Sequence, residues 1–134
     1  MCGGKHLTIA GTGIGAVSGD GGQAINAGVI PIGISYYAGN LFVAQSNNTI
    51  REITPDGVIT TIAGNGVTCI APNPCGDGGL ATDAQLSHPN GPIFDSQGNL
   101  YFADTVSQRI RKITPSGIIS TIACLHNSLG FQMR

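Results

Sequence analysis

The chain is a duplication, and that fact limits its architecture more than any other. Gly76–Asp77–Gly78–Gly79–Leu80–Ala81–Thr82–Asp83–Ala84 repeats an earlier Gly19–Asp20–Gly21–Gly22–Gln23–Ala24–Ile25–Asn26–Ala27. Three shorter runs set the period: Thr8–Ile9–Ala10–Gly11, Thr61–Ile62–Ala63–Gly64 and Thr121–Ile122–Ala123–Cys124, spaced 53 and then 60 residues apart. Other matches fall into the same register. Gly39–Asn40–Leu41–Phe42 matches Gly98–Asn99–Leu100–Tyr101, and Ile50–Arg51–Glu52–Ile53–Thr54–Pro55–Asp56–Gly57 matches Ile110–Arg111–Lys112–Ile113–Thr114–Pro115–Ser116–Gly117. Internal repeats of this length are the mark of solenoids, propellers and arrays.

Within each unit the apolar runs are short and separated by turn residues, which reads as strands. Unit one predicts strands at Pro31–Tyr36, Asn40–Gln45, Thr49–Thr54 and Val58–Ala63. Unit two predicts Pro92–Asp95, Asn99–Thr105, Arg109–Thr114 and Ile118–Ala123. The 21 glycines supply the tight turns between them. Each unit is therefore a four-stranded antiparallel meander, and the fold class is all-β. Leu41–Phe42–Val43–Ala44 is apolar on both faces and is expected to be covered on both. Ile50–Arg51–Glu52–Ile53 puts a charge on each face and is expected nearer the rim. A sheet apolar on both faces must have neighbours stacked on it, and meanders that stack in this way are the blades of a β-propeller.

At this point the chain resembles the NHL-repeat propellers. The resemblance rests on Gly98–Asn99–Leu100–Tyr101–Phe102–Ala103–Asp104–Thr105 followed by Ser107–Gln108–Arg109–Ile110–Arg111–Lys112–Ile113–Thr114–Pro115–Ser116–Gly117. Unit one carries Gln45 where unit two has Asp104, and neither copy has the family's histidine. The resemblance covers about Leu7 to Ala123. It implies two blades, one at about 31–63 and one at about 91–123, and is specific for fold rather than function. Some propeller relatives are hydrolases or lyases with metal at the ring axis, and some NHL propellers bind RNA on a basic face.

Propellers close with typically 4–8 blades, and this chain has two. Either it is part of a longer propeller, or copies assemble, a trimer of six blades being the simplest closed object. Leu7–Ala10 matches a fourth strand and is expected as an extra N-terminal strand. Residues 124–134 form a tail outside the repeat. A spare strand and an open edge also invite an extended polymer. Met1–Leu7 shows no apolar signal core.

Candidate chemistry is sparse. Gly-Asp-Gly-Gly reads as a phosphate cradle, a calcium site through Asp20 or Asp77, or a turn whose Asp caps the following segment while its alanines pack. The third reading is favoured, because one carboxylate per copy is far short of a calcium shell. His88 is a weak metal candidate without partners. No catalytic residue is singled out and no cofactor is expected. Cys69 and Cys75 flank a proline-stiffened loop and are expected to form a disulfide, which would favour an extracellular location. Charge is nearly balanced, 6 basic against 7 acidic residues, so nucleic acid and membrane surfaces are not expected partners. Arg51, Arg109, Arg111 and Lys112 are expected to pair with Glu52 and the Asp-bearing turns.

In an up-and-down meander, the second turn and the link between units emerge at one end. That end carries the cysteine loop, Asn47, Asn48, Thr105, Val106, Ser107 and Gln108, and loops on a rigid scaffold commonly carry recognition. The expected function is a non-enzymatic protein-binding or scaffold module that self-assembles. A fragment of a hydrolase or lyase and a polymer-forming structural subunit are the alternatives.

Overall fold

A computed structural model describes residues 7–70, 73–125 and 131–133. Strands β1 (Pro31–Tyr37), β2 (Asn40–Gln45), β3 (Thr49–Ile53) and β4 (Ile59–Ala63) form one sheet in that order. Strands β5 (Pro89–Phe94), β6 (Leu100–Asp104), β7 (Arg109–Ile113), β8 (Ile119–Leu125) and β9 (Phe131–Met133) form a second. Every pairing is antiparallel. The two sheets are adjacent blades of an unclosed propeller. One-turn 3-10 helices, Ala24–Asn26 and Ala81–Asp83, precede the blades.

Three boundaries differ from expectation. Strand β5 starts at Pro89, not Pro92, because a bulge between Asn90 and Ile93 lets the strand continue past Gly91–Pro92. Leu7–Ala10 belongs to no strand: Leu7 is 88% and Ile9 62% exposed. The physical reason lies in the pairing of its counterpart. Strand β4 is held by β3, whereas no described strand of an earlier blade lies beside Leu7–Ala10. Its end nevertheless sits where the repeat puts it. The Gly11 amide donates to Ala24 O at 2.9 Å, as the Gly64 amide does to Ala81 O at 2.9 Å. In the tail, β8 continues to Leu125 and β9 adds an outer strand that the repeat does not contain.

Two apolar clusters form the core. One joins Ala44, Ile50 and Ala63 of the first blade to Ala81, Ala84 and Leu86 of the connection, and to Leu100, Phe102, Ile113 and Ile119 of the second blade. The other sets Ala24, Ala27, Val29 and Ala10 against Val43, Ile53 and Ile59. Strand β2 is thus covered on both faces, as its sequence requires. Phe94 stacks on Tyr37 at 4.4 Å between centroids and meets Phe42 at 4.5 Å, tying the inner strands of the two blades together.

The charged third strand lies third in its sheet, on the outer side as expected, yet its arginine is buried. Arg51 and Arg111 are 0% exposed. A guanidinium can be buried this way only when most of its donors find acceptors. Arg51 is bonded through Nε, Nη1 and Nη2, and Arg111 through Nη1 and Nη2, with its Nε unpartnered among the described residues.

Candidate functional site: the loop face and the arginine clamps

The duplicated Gly-Asp-Gly-Gly loops are built by backbone geometry. Gly76 has φ +89, and a Cβ there would lie 2.8 Å from Ala84 Cα. Gly19 stands in the same relation to Ala27 at 2.9 Å. Only glycine combines a positive φ with so close an approach. The loops then pair with the outer strand of the blade they introduce. The Gly21 amide donates to Ile59 O at 2.7 Å and the Ile59 amide to Gly22 O at 3.0 Å. Gly78, Ile119 and Gly79 repeat this at 2.7 and 3.0 Å.

The aspartates do not cap the following segment, as the favoured reading of these loops expected. Gln23 and Leu80 occupy the N-cap positions, with no side-chain cap. Instead Asp20 Oδ1 accepts from Arg51 Nε at 3.1 Å and from Thr61 Oγ1 at 3.0 Å, and Oδ2 accepts from the Thr61 amide at 3.0 Å. Asp77 Oδ1 accepts from Arg111 Nη2 at 2.9 Å, and Oδ2 from Thr121 Oγ1 at 2.5 Å. Each aspartate therefore locks its loop onto the third and fourth strands of one blade. The arginines also donate to carbonyls: Arg51 to Gly28 and Ser18, Arg111 to Gln85 and Cys75. The expected pairing of Arg51 and Arg111 with the Asp-bearing turns is thus present, over separations of 31 and 34 residues; the sequence did not show that these aspartates serve the arginines instead of capping the segment that follows them. The available signal was that Asp and Arg recur together in both units.

The two clamps are not equivalent. Arg111 Nη1 also donates to Asp104 Oδ2 at 3.2 Å, and the Asp104 side chain is fully buried. Asp104 Oδ1 accepts from the Ser87 amide at 2.6 Å. In the first blade Gln45 fills that position, and its Oε1 accepts from the Ile30 amide at 3.2 Å. Glu52, expected to pair with an arginine, accepts from Asn40 Nδ2 at 2.9 Å instead. Strand alternation explains this: Arg51 faces the connection and Glu52 the opposite side of the sheet.

The loop end gathers most of the remaining sequence candidates. Cys69 and Cys75 form the expected disulfide. Asn48 Nδ2 donates to Thr68 Oγ1 at 3.0 Å, and Asn48 Oδ1 accepts from the His88 amide at 2.8 Å. Asn47 Oδ1 accepts from Thr49 Oγ1 at 2.6 Å. The Val106 amide donates to Ser87 O at 3.0 Å, and Arg109 reaches Asn73 O across to the cysteine loop. Thr105, Val106 and Gln108 are exposed, while Ser107 is buried with its hydroxyl on Asp104 O. Val67, Ile70 and Val106 stand out from this end at 52, 74 and 65% exposure. His88 is exposed and lies beside Asn48. Asp20, Asp77 and His88 do not converge, and among the described residues no three His, Cys, Asp or Glu side chains gather. His6 and His126 lie outside the described residues. Among those described, no helix is long and apolar enough to cross a membrane.

At the opposite end, Asp95 organises the β5–β6 turn. Its carboxyl is held down to about 2, first by the Asn99 side-chain amide and then by the Asn99 N–H, which outweigh the opposing effect of desolvation, with the Gln97 N–H and the Tyr101 hydroxyl adding to them. Tyr101 is pushed above the usual phenol range by burial and by that same carboxylate.

Comparison with known proteins agrees with this architecture. A virginiamycin B lyase from Staphylococcus aureus superposes with a TM-score of 0.51 at 24% identity, over 75% of this chain and 28% of that one. An auxiliary nutrient binding protein from Bacteroides ovatus gives 0.57 at 22% identity, over the same shares. These likenesses establish the fold alone. Among curated proteins, the chain is 52% identical over 62 residues to Teneurin-1 of Caenorhabditis elegans, covering 46% of this chain, and 39% identical over 88 residues to human Teneurin-1, covering 58%. The match spans only 2–3% of the length of those relatives. Residues 60–132 match the family model described as the Teneurin NHL domain, and by that match, running from the outer strand of the first blade through the second, the chain belongs to the Teneurin NHL domain family.

Proposed function

We propose that this chain is a non-enzymatic protein-binding module that works through its loop face. The observation that carries the reading is the cross-linking of that face. Three separate loops are joined by Asn48, the Ser87–Val106 bond, Arg109 and a disulfide, and they present Val67, Ile70 and Val106 outward. Rigid loops lose little conformational entropy on binding, and exposed apolar side chains supply contact area. The test uses the purified chain as bait on extract from its own source. Val106→Asp and Ile70→Asp should abolish capture, and Pro55→Ser at the opposite end should leave it intact. Equal capture by all three variants overturns the assignment of the face.

A second reading, head-to-tail self-assembly, is favoured by a specific mismatch between the blades. Phe94 of the second blade stacks on the first, but its counterpart Tyr36 is 74% exposed. Ile50 is fully buried by the second blade, but its counterpart Ile110 is 36% exposed. Each open face thus carries half of an interface that the chain already forms once. Light scattering at micromolar concentration should report a mass above that of the monomer, with a ring of three copies as the closed form; a monomer mass rejects it.

A further inference from the structure

The seam between the blades holds a cavity of about 330 Å³ at the end opposite the loop face. Three packed aromatic rings line it: Tyr37, Phe42 and Phe94. The second blade closes it with the Thr114–Gly117 turn. One acidic side chain lines it, that of Glu52. Asn40 Nδ2 holds Glu52 Oε2 at 2.9 Å, and no described residue donates to Oε1. None of the ion pairs among the described residues includes Glu52.

The carboxylate is not required by the fold. Glu52 lies opposite Phe42 in the register, and Lys112 lies opposite Tyr101 at the same place in the second blade. The position tolerates either charge, so the acidic character belongs to this seam in particular. The hollow on the front of the first blade is lined by Ile9, Tyr36, Leu41, Ile53 and the Thr54–Gly57 turn, Asp56 included.

We propose that this seam binds a small organic cation, an apolar body carrying a primary ammonium. The body packs against Tyr37, Phe42 and Phe94, and the ammonium donates to Glu52 Oε1. The volume suits a small ligand, and one charged group among apolar walls is the usual composition of such sites. A cation beside aromatic faces and a carboxylate gains both attractions in a partly desolvated cleft. The inference is independent of the loop-face reading, because the two sites lie at opposite ends of the blades.

The test is a titration of the isotopically labelled native chain, read by amide NMR shifts. The probes are phenethylammonium and phenethyl alcohol, which share a body and differ in charge. The ammonium should shift the amides of Tyr37–Asn40 and Thr114–Gly117, and the alcohol should bind about tenfold more weakly, the loss expected for one charged hydrogen bond. Glu52→Gln should bring the ammonium down to the affinity of the alcohol and leave the alcohol unchanged. Equal binding of the two probes to the native chain overturns the proposal, as do shifts elsewhere, no shifts, or unaltered ammonium affinity in Glu52→Gln. The native-chain comparison decides the matter even where Glu52→Gln fails to fold.

Discussion

Replacing Arg111 by methionine tests the clamp most severely. Arg111 makes four hydrogen bonds, two to carbonyl oxygens and two to carboxylates, and its side chain is 0% exposed. Asp104 is also fully buried and loses the one cationic partner it has among the described residues. Removing one partner of a buried pair costs about 3–5 kcal/mol, because the remaining charge is uncompensated. That is a large part of the roughly 5–15 kcal/mol that holds a domain of this size. Arg51→Met is the internal comparison. Asp20 is half exposed and Gln45 is neutral, so no buried charge is left behind. Its cost should be that of lost charged hydrogen bonds, about 1.5–3 kcal/mol. Urea titration followed by circular dichroism reads both, as shifts of midpoint at constant slope. The decisive measurement is the double variant Arg111→Met/Asp104→Asn. Neutralising the stranded carboxylate should recover about 1–3 kcal/mol relative to Arg111→Met alone. If the double variant is no more stable than the single one, or Arg51→Met costs as much as Arg111→Met, the reasoning from buried charge is wrong.

Three further outcomes are expected. Reducing Cys69–Cys75 opens a loop of six-residue separation and should cost about 2 kcal/mol by chain entropy, read as a lower urea midpoint in dithiothreitol. Gly76→Ala should destabilise more than Gly78→Ala: both have φ +89, but only at Gly76 does the new Cβ meet backbone, at 2.8 Å, so the second variant pays only the left-handed strain of about 1–2 kcal/mol. Asp95 has a depressed folded pKa, so its contribution is present above the unfolded value of about 3.9 and disappears as pH falls toward about 2. Asp95→Asn should therefore flatten the acid limb of stability in that window and return the Tyr101 titration toward the ordinary phenol range, both measurable by pH titration.

Much of the architecture was legible because it rests on local chemistry that occurs twice. Pro55–Asp56–Gly57 and Pro115–Ser116–Gly117 mark the same turn by backbone preference alone, and the doubly apolar Leu41–Ala44 run demands cover on both faces. The disulfide was legible for a similar reason, since Cys69 and Cys75 are near neighbours along a stiff loop. The loop face followed from strand direction, which a meander determines without any side-chain information.

What escaped the sequence is what depends on distant partners. Pairing of Arg51 and Arg111 with Asp-bearing turns was legible, but only the tertiary structure shows that Asp20 and Asp77 are the partners and that both guanidinium groups are buried. A single residue's type states its cost of burial but not whether acceptors wait for it. The same limit applies to Glu52, whose neighbours Phe94 and Thr114 come from the other blade. It applies in reverse to Leu7–Ala10, which carries a strand's sequence but has no paired edge beside it among the described residues. The repeat alone determined that the chain builds two stacked blades, because turn preference and apolar alternation are properties of short segments. Which charges are buried, which seam is acidic and which faces stand open were decided by the packing of one blade on the next, because those properties belong to pairs of segments far apart in the chain.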